Sequence, residues 1–146
     1  MKRGLWAGIL LVVSACASER APLQPVTGAP PVGEADWARA TVLEVALDSF
    51  EFQPAHLTLD RQRAYRLHLT NHGGGHNFDA PDFFGTAVFR DDAVSRRVRA
   101  SGGVIELARG EEVDVYVMPT RAGSFALRCS HPLHASFGMI GGIEVK

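Results

Sequence analysis

Apolar and polar residues alternate with a period of two along most of this chain after residue 40. The alternation covers residues 43–47, 65–69, 113–117, 125–129 and 143–145, with shorter apolar runs at 57–59 and 104–107. Phe50 and Phe52 are expected to continue the first of these strands, which Pro54 ends. A period of two puts the apolar side chains on one face of a half-buried strand. Turn-forming residues lie between the runs, for example at 108–111 and 120–123. The pattern predicts an all-β fold, a Greek-key antiparallel β-sandwich of seven or eight strands.

Residues 91–99 break this alternation. Acidic residues come first and basic residues last in the segment, and Val94 and Val98 are four residues apart. That order complements a helix dipole and predicts one short helix on the flank of the sandwich. The alternative is a basic docking patch formed by the arginines of the segment, Arg96, Arg97 and Arg99. The wider segment 83–99 has no role that its residues reveal.

The N-terminus resembles an export signal. Two basic residues precede an apolar run at residues 4–13, which is too short to span a bilayer as a stable helix. The run ends in Val-Ser-Ala-Cys at residues 13–16, a sequence similar to the lipobox of bacterial lipoproteins. This resemblance implies that residues 1–15 are a removable signal peptide and that Cys16 carries lipid. The alternative is ordinary secretion with cleavage near Ala17.

The stretch between this signal and the alternating region is rich in proline. Residues 16–40 hold half of the eight prolines and few large apolar residues. Such a composition predicts a semi-extended tether behind the lipidated N-terminus. Residues 41–146 are numerous enough to form one domain with its own core. The prediction is therefore an exported bacterial lipoprotein, held on the periplasmic side of a membrane or on the cell surface.

Charge and cysteine content narrow the classes of function. The formal net charge is −1, which leaves no basic footprint for nucleic acid. The chain has two cysteines. If Cys16 carries lipid, Cys129 has no partner for a disulfide within the chain. An unpaired thiol in an exported protein calls for another explanation, and metal ligation is one.

A short stretch near the C-terminus carries three side chains that metals bind. Cys129, His134 and Met139 are separated by four residues each, and His76 lies upstream after three glycines. Two imidazoles, one thiolate and a weak axial thioether build mononuclear blue-copper sites. The set predicts one copper ion per chain, alternating between Cu(I) and Cu(II). His131 is an alternative ligand, and His134 is favoured because its spacing lets the loop close around a metal.

These motifs resemble those of cupredoxins of the plastocyanin/azurin type, over about residues 41–146. The Cys-x4-His spacing is closest to azurin-like loops, whereas His-x4-Met resembles plastocyanin-like ones. The resemblance implies that Asn77 ties the two ligand-bearing loops together near the Cys129 sulfur, and that the Gly75 carbonyl lies close to the metal. It implies four metal ligands, His76, Cys129, His134 and Met139.

A metal held by four protein side chains leaves no position for a substrate. The sequence therefore predicts an electron carrier and not an enzyme. The resemblance implies a monomer whose transient redox partners dock at an apolar patch around the edge of His134. An apolar collar is expected to keep solvent off the copper. Its expected members are Phe78, Leu133 and Phe137, and also Phe83 and Phe84.

The second hypothesis is copper handling, that is, delivery, buffering or resistance. His72 and His131 lie close in sequence to the expected ligands and could pass copper on by ligand exchange. An oxidase or reductase is not expected. The chain lacks the further His-x-His pairs that additional copper centres require.

Overall fold

The computed structural model describes residues 20–24 and 35–146 of the chain. The predicted signal peptide and the predicted lipidation site at Cys16 lie outside these residues. Within the described ranges, no helix has the length and apolarity that crossing a membrane requires.

Two five-stranded sheets form the domain and confirm the predicted all-β sandwich. The first sheet has the strand order β2-β1-β4-β8-β6, and the second has β3-β10-β9-β5-β7. A one-turn helix, α1, and a two-turn helix, α2, lie between strands. The elements are β1 (Thr41–Asp48), β2 (Glu51–Gln53), β3 (His56–Leu59), β4 (Tyr65–Asn71), β5 (His76–Asp79), α1 (Pro81–Phe84), β6 (Ala87–Phe89), α2 (Ala93–Ala100), β7 (Val104–Leu107), β8 (Glu112–Pro119), β9 (Gly123–Arg128) and β10 (Ile140–Val145).

The alternation predicted antiparallel sheets, but two of the pairings are parallel. β1 pairs in parallel with β4, and β3 pairs in parallel with β10, whereas the other pairings of the described strands are antiparallel. The chain leaves the first sheet after the β1–β2 hairpin, contributes β3 to the second sheet, and returns as β4. This crossing between sheets brings β4 back beside β1 in the same direction.

The described residues contain ten strands instead of seven or eight. β2 is additional because a turn at residues 49–50 splits the expected strand into a hairpin. β5 and β6 are additional because every one of their residues is buried. A strand that is buried on both faces shows no alternation, so a search for a period of two does not find it.

The predicted flanking helix is α2, and α1 is a second, unexpected one. The Asp92 carboxylate caps α2 by accepting a hydrogen bond from the Ser95 backbone N–H at 2.7 Å. Val98 is buried against the core, while Arg96 faces out and pairs with Asp91 at 2.8 Å. This arrangement is that of an amphipathic helix with a hydrated outer face.

The core lies between the two sheets and joins side chains from both. In the first sheet Leu47, Leu67 and Val115 are fully buried. In the second, Phe78 packs edge-on against Phe52 with ring centroids 5.9 Å apart. These residues belong to one continuous apolar cluster. The expected half-buried strands are thus confirmed, and their core faces fix the direction of the strands that lead to the site.

Residues 20–24, which the composition places in the tether, lie against the domain and are called the strap below. The Arg20 guanidinium donates to both carboxylate oxygens of Asp79, at 2.6 and 3.2 Å. The Asp79 side chain is 0% exposed. The Leu23 N–H donates to the Arg99 carbonyl at 2.8 Å, and its side chain packs on the core. The strap docks because a buried carboxylate needs a cation, a long-range contact that composition does not reveal.

Candidate metal centre

Adjacent strands of the second sheet bring the two distant motifs together. His76 is the first residue of β5, and Cys129 directly follows β9. The antiparallel register sets Asp79 opposite Arg128. The chain beyond Arg128 therefore runs back along β5 towards His76. The sheet alone thus places the thiol and the first imidazole at the same end of the sandwich.

The segment from Cys129 to Met139 closes into a compact loop. The Cys129 N–H donates to the Met139 carbonyl, and the Met139 N–H donates to the His134 carbonyl, both at 3.0 Å. A single 3-10 turn at Ala135–Phe137 ends at Gly138, whose φ of +107° a side chain would disfavour. These bonds draw His134 and Met139 back over the end of β9.

Three potential ligand atoms converge inside this loop. His76 Nδ1 lies 3.1 Å from His134 Nδ1, and Cys129 Sγ lies 3.4 Å from the same nitrogen. All three atoms lie within 4.8 Å of one another. The Cys129 and Met139 side chains are fully buried, and His76 is nearly so. One metal ion could therefore contact both imidazoles and the thiol at once.

The donor set fits copper in its chemistry. The cluster combines two imidazoles with one thiol and contains no carboxylate. Soft thiolate and borderline imidazole ligands suit copper better than the hard cations that prefer oxygen. Burial lowers the pKa of His76 below its usual 6.5; repulsion from His134 and then His131 lowers it further, and Asp48 opposes this. His76 is thus kept in the neutral form that a metal needs.

The sequence model of the family described as "Copper binding proteins, plastocyanin/azurin family" matches residues 40–146. The chain is a cupredoxin. As a member of this family it binds copper, and the convergent His-Cys-His group supports one ion per chain.

Individual relatives agree with this assignment. The copper-resistant cuproprotein CopI of Rubrivivax gelatinosus is 31% identical over 120 residues, which cover 78% of this chain and 71% of CopI. Reduced auracyanin from Roseiflexus castenholzii superposes with a TM-score of 0.53 at 17% identity, over 73% of this chain and 98% of that one. A multi-copper oxidase from Pseudomonas thermotolerans gives 0.58 at 18% identity, over 82% of this chain and 33% of the oxidase. The two structural likenesses establish the fold.

Asn77 links the two ligand-bearing segments of this cupredoxin. Its backbone N–H points at Cys129 Sγ at 3.5 Å. Its side-chain oxygen accepts from the Ser130 N–H at 2.8 Å, and its amide donates to Ser130 Oγ at 3.0 Å and to Glu106 at 2.8 Å. The residue after the first imidazole is therefore bonded to the residue after the thiol. The sequence resemblance implied this link, and the contacts of Asn77 supply it.

The other histidines near the site have different partners. His131 Nε2 bonds to the Glu106 carboxylate at 2.9 Å, and its ring centroid lies 5.3 Å from that of His134. Of the two histidines that the sequence left open, only His134 is part of the convergent group within the described residues. A Cβ atom added at Gly75 would lie 3.7 Å from the His131 ring. His72 is exposed and interacts with Thr70.

The apolar collar differs from the expected one. Leu133 and Phe137 are 66% and 64% exposed and border the site. Phe78, Phe83 and Phe84 are instead fully buried core residues, because β5 and α1 turn their rings into the sandwich. Phe50 was missed, and its ring centroid lies 5.0 Å from that of His134. Phe50 was expected to lie in a continuous strand, and the turn at residues 49–50 that brings it beside His134 was not predicted.

Proposed function

We propose that this cupredoxin is a one-electron carrier in which His76, Cys129, His134 and Met139 hold the copper. The observation that supports this most strongly is a gradient of burial across the donors. Cys129, His76 and Met139 are buried, whereas His134 is partly exposed and is flanked by the exposed Leu133. One ligand edge thus reaches the surface while the others stay enclosed.

Bound copper would supply a Cu(I)/Cu(II) couple, and the chain supplies a closed and rigid environment for it. Asn77 cross-links both ligand-bearing segments, and the Cys129–Met139 backbone bond closes the loop. Donors that are fixed by such bonds move little when the charge at their centre changes. The donor set also leaves no buried position for a substrate. We infer a carrier and not an enzyme, and the match covers only 33% of the oxidase that shares the fold.

The surface next to His134 suits brief contacts with redox proteins. Phe50, Leu133, Phe137 and Ile140 are all large apolar side chains with substantial exposure. Phe50 and Phe137 lie against each other, with ring centroids 5.2 Å apart. A small apolar patch around an exposed ligand fits the limited interfaces of electron-transfer complexes. We propose that transient partners dock at this patch, and that the protein works as a monomer.

We further propose that the protein is exported and tethered to a bacterial membrane through lipid on Cys16. The support is the lipobox-like sequence at residues 13–16 and an unpaired Cys129 that a metal would protect from oxidation. If the strap stays docked, the covalent length of the chain from Cys16 to Arg20 limits their separation to about 14 Å. The copper centre would then remain close to membrane-bound redox enzymes.

Spectroscopy and electron-exchange kinetics of the copper-loaded protein test the carrier role. We expect an intense visible absorption from thiolate to Cu(II), lost in Cys129→Ser, and reversible reduction. Leu133→Lys should slow electron self-exchange because it places a charge in the patch, whereas Val42→Lys, at an exposed apolar residue of β1, should not. A copper-loaded protein without the visible band, or one that cannot be reduced reversibly, would end the proposal.

Copper handling is the second candidate, and two observations favour it. The first observation is that CopI, which matches this chain over 71% of its own length, is named a copper-resistant cuproprotein. His131 lies beside His134 at the partly exposed edge of the site, where it could take over copper. A competition with a Cu(I) chelator separates the two functions. A handling protein should release copper within minutes in a manner that depends on His131, whereas a carrier should retain it in both wild type and His131→Ala.

A further inference from the structure

Phe50 adopts a backbone conformation that its side chain disfavours. It lies in the tight β1–β2 turn, where Asp48 pairs with Glu51, and has φ = +62°. Residues with a Cβ atom are strained in this left-handed region, which glycine and asparagine occupy far more easily. Among the described non-glycine residues only Phe50, Gln62 and Leu133 have positive φ. Two of these three border the copper site.

Turn formation does not explain a phenylalanine at this position. A two-residue turn between strands selects Gly, Asn or Asp, because they tolerate positive φ. Ser49, the other turn residue, donates its N–H to the Asp48 carboxylate at 2.7 Å, a local bond that needs no ring at residue 50. The side chain of Phe50 must therefore provide something that a better turn residue would lack.

Core packing does not explain it either. Phe52, two residues further along the hairpin, is 2% exposed and contacts Phe78 in the core. Phe50 is 39% exposed and lies outside that apolar cluster. Its ring contacts the two imidazoles of the site instead.

The ring of Phe50 meets both histidines of the convergent group edge-on. Its centroid lies 5.0 Å from that of His134 at 86°, and 6.3 Å from that of His76 at 77°. Phe137 contacts the same ring from the metal-binding loop. T-shaped contacts of this kind are favourable and directional. Phe50 thus touches residues from both halves of the site, on the side that faces solvent.

We propose that Phe50 is a positioning residue of the copper centre, which holds the two imidazoles in their relative orientation and keeps water from them. The strained turn is retained because it aims the ring at this point, in line with the tendency of backbone strain to occur at functional sites. The inference rests on the proposed ligands His76 and His134. It does not depend on whether the protein carries electrons or handles copper.

Phe50→Gly separates positioning from folding, because glycine relieves the strain and removes the ring. Gln62→Gly is the matched control, since Gln62 has the same φ of +62° in an exposed turn away from the site. We expect both variants to unfold, without copper, at a denaturant concentration equal to or above that of wild type. Only Phe50→Gly should release copper to a chelator faster, by about tenfold or more, and shift the visible band and the reduction potential. Phe50→Tyr, which keeps an aromatic ring, should retain the wild-type rate of copper release, visible band and reduction potential.

Two results would overturn the inference. The first is a Phe50→Gly protein with the wild-type rate of copper release, visible band and potential. The second is metal-free Phe50→Gly that unfolds at clearly lower denaturant than Gln62→Gly, since Phe50 would then be a packing residue. A wrong ligand set is recognised separately, because Cys129→Ser and His134→Ala would then keep the visible band of the wild type.

Discussion

The contact between Arg20 and Asp79 gives the sharpest test of how this domain is held together. Asp79 is on β5, three residues after His76, and its carboxylate is completely buried. Arg20 approaches it with two nitrogens, at 2.6 and 3.2 Å, whereas Arg128 is a weaker second partner at 3.4 Å. Replacing Arg20 by alanine leaves a buried carboxylate with one distant cation and frees the strap.

The size of the effect follows from burial. Removing one partner of a fully buried ion pair costs about 3–5 kcal/mol, whereas an exposed pair is worth about 0–1 kcal/mol. The Arg20 side chain is 34% exposed, and Arg128 remains, so the expected loss lies between these limits. We expect Arg20→Ala to lower the free energy of unfolding by about 2 kcal/mol, which changes the ratio of folded to unfolded protein by roughly 30-fold.

Chemical unfolding of the metal-free protein measures this loss, with Arg96→Ala as the control. Arg96 and Asp91 are both more than half exposed, so breaking their 2.8 Å pair should change stability little. The Asp79→Asn and double variants complete a cycle that isolates the pair. Hydrogen exchange at the Leu23 amide should accelerate in Arg20→Ala as the strap detaches. If Arg20→Ala is no more destabilising than Arg96→Ala, the buried pair does not hold the strap and the reasoning is refuted.

Three further predictions concern the copper site. Asn77→Ala should weaken copper binding by about 10- to 100-fold, measured by competition with a chelator, because it removes the side-chain bonds to Ser130. Gly73→Ala should destabilise the protein by about 1–3 kcal/mol and disturb the visible band, since its Cβ would lie 2.7 Å from His76 Nε2. Metal-free protein should lose stability as the pH falls below about 6.5, because the lowered pKa of His76 makes its protonation unfavourable in the fold. Thermal unfolding between pH 7.5 and 5.5 measures this slope, which should flatten in His76→Gln.

Alternation and motif spacing predicted much of this protein, and the reasons are physical. A strand with one face in the core must alternate, so β1, β4, β8 and β9 were visible in the sequence. The side chains that bind copper are few in kind, so Cys129 and the histidines stood out by their chemistry. The order of charges in residues 91–99 and the spacing of Val94 and Val98 predicted α2, because both are typical of an amphipathic helix.

The features that escaped prediction depend on contacts between distant residues. β5 is buried along its whole length and so shows no alternation. The polar side chain of Asn77 tolerates this burial because it donates hydrogen bonds to Glu106 and Ser130. The strap has the composition of a linker. It docks because Arg20 pairs with the buried carboxylate of Asp79, which is distant from it in sequence. Phe50 reads as one more apolar residue of a strand until the turn at residues 49–50 is known.

The way His76 is held unites these observations. A histidine that binds a metal usually donates its other ring nitrogen to a fixed acceptor, which sets the orientation of the ring. His76 Nε2 is buried and has no such partner among the described residues. A Cβ atom added at Gly73 would lie only 2.7 Å from that nitrogen, and the edge-on ring of Phe50 contacts the imidazole as well. The orientation of His76 therefore depends on shape more than on hydrogen bonding. Gly73→Ala adds an atom beside the imidazole, and Phe50→Gly removes a ring from beside it, so both should disturb the copper centre. Only Gly73→Ala should destabilise the metal-free fold.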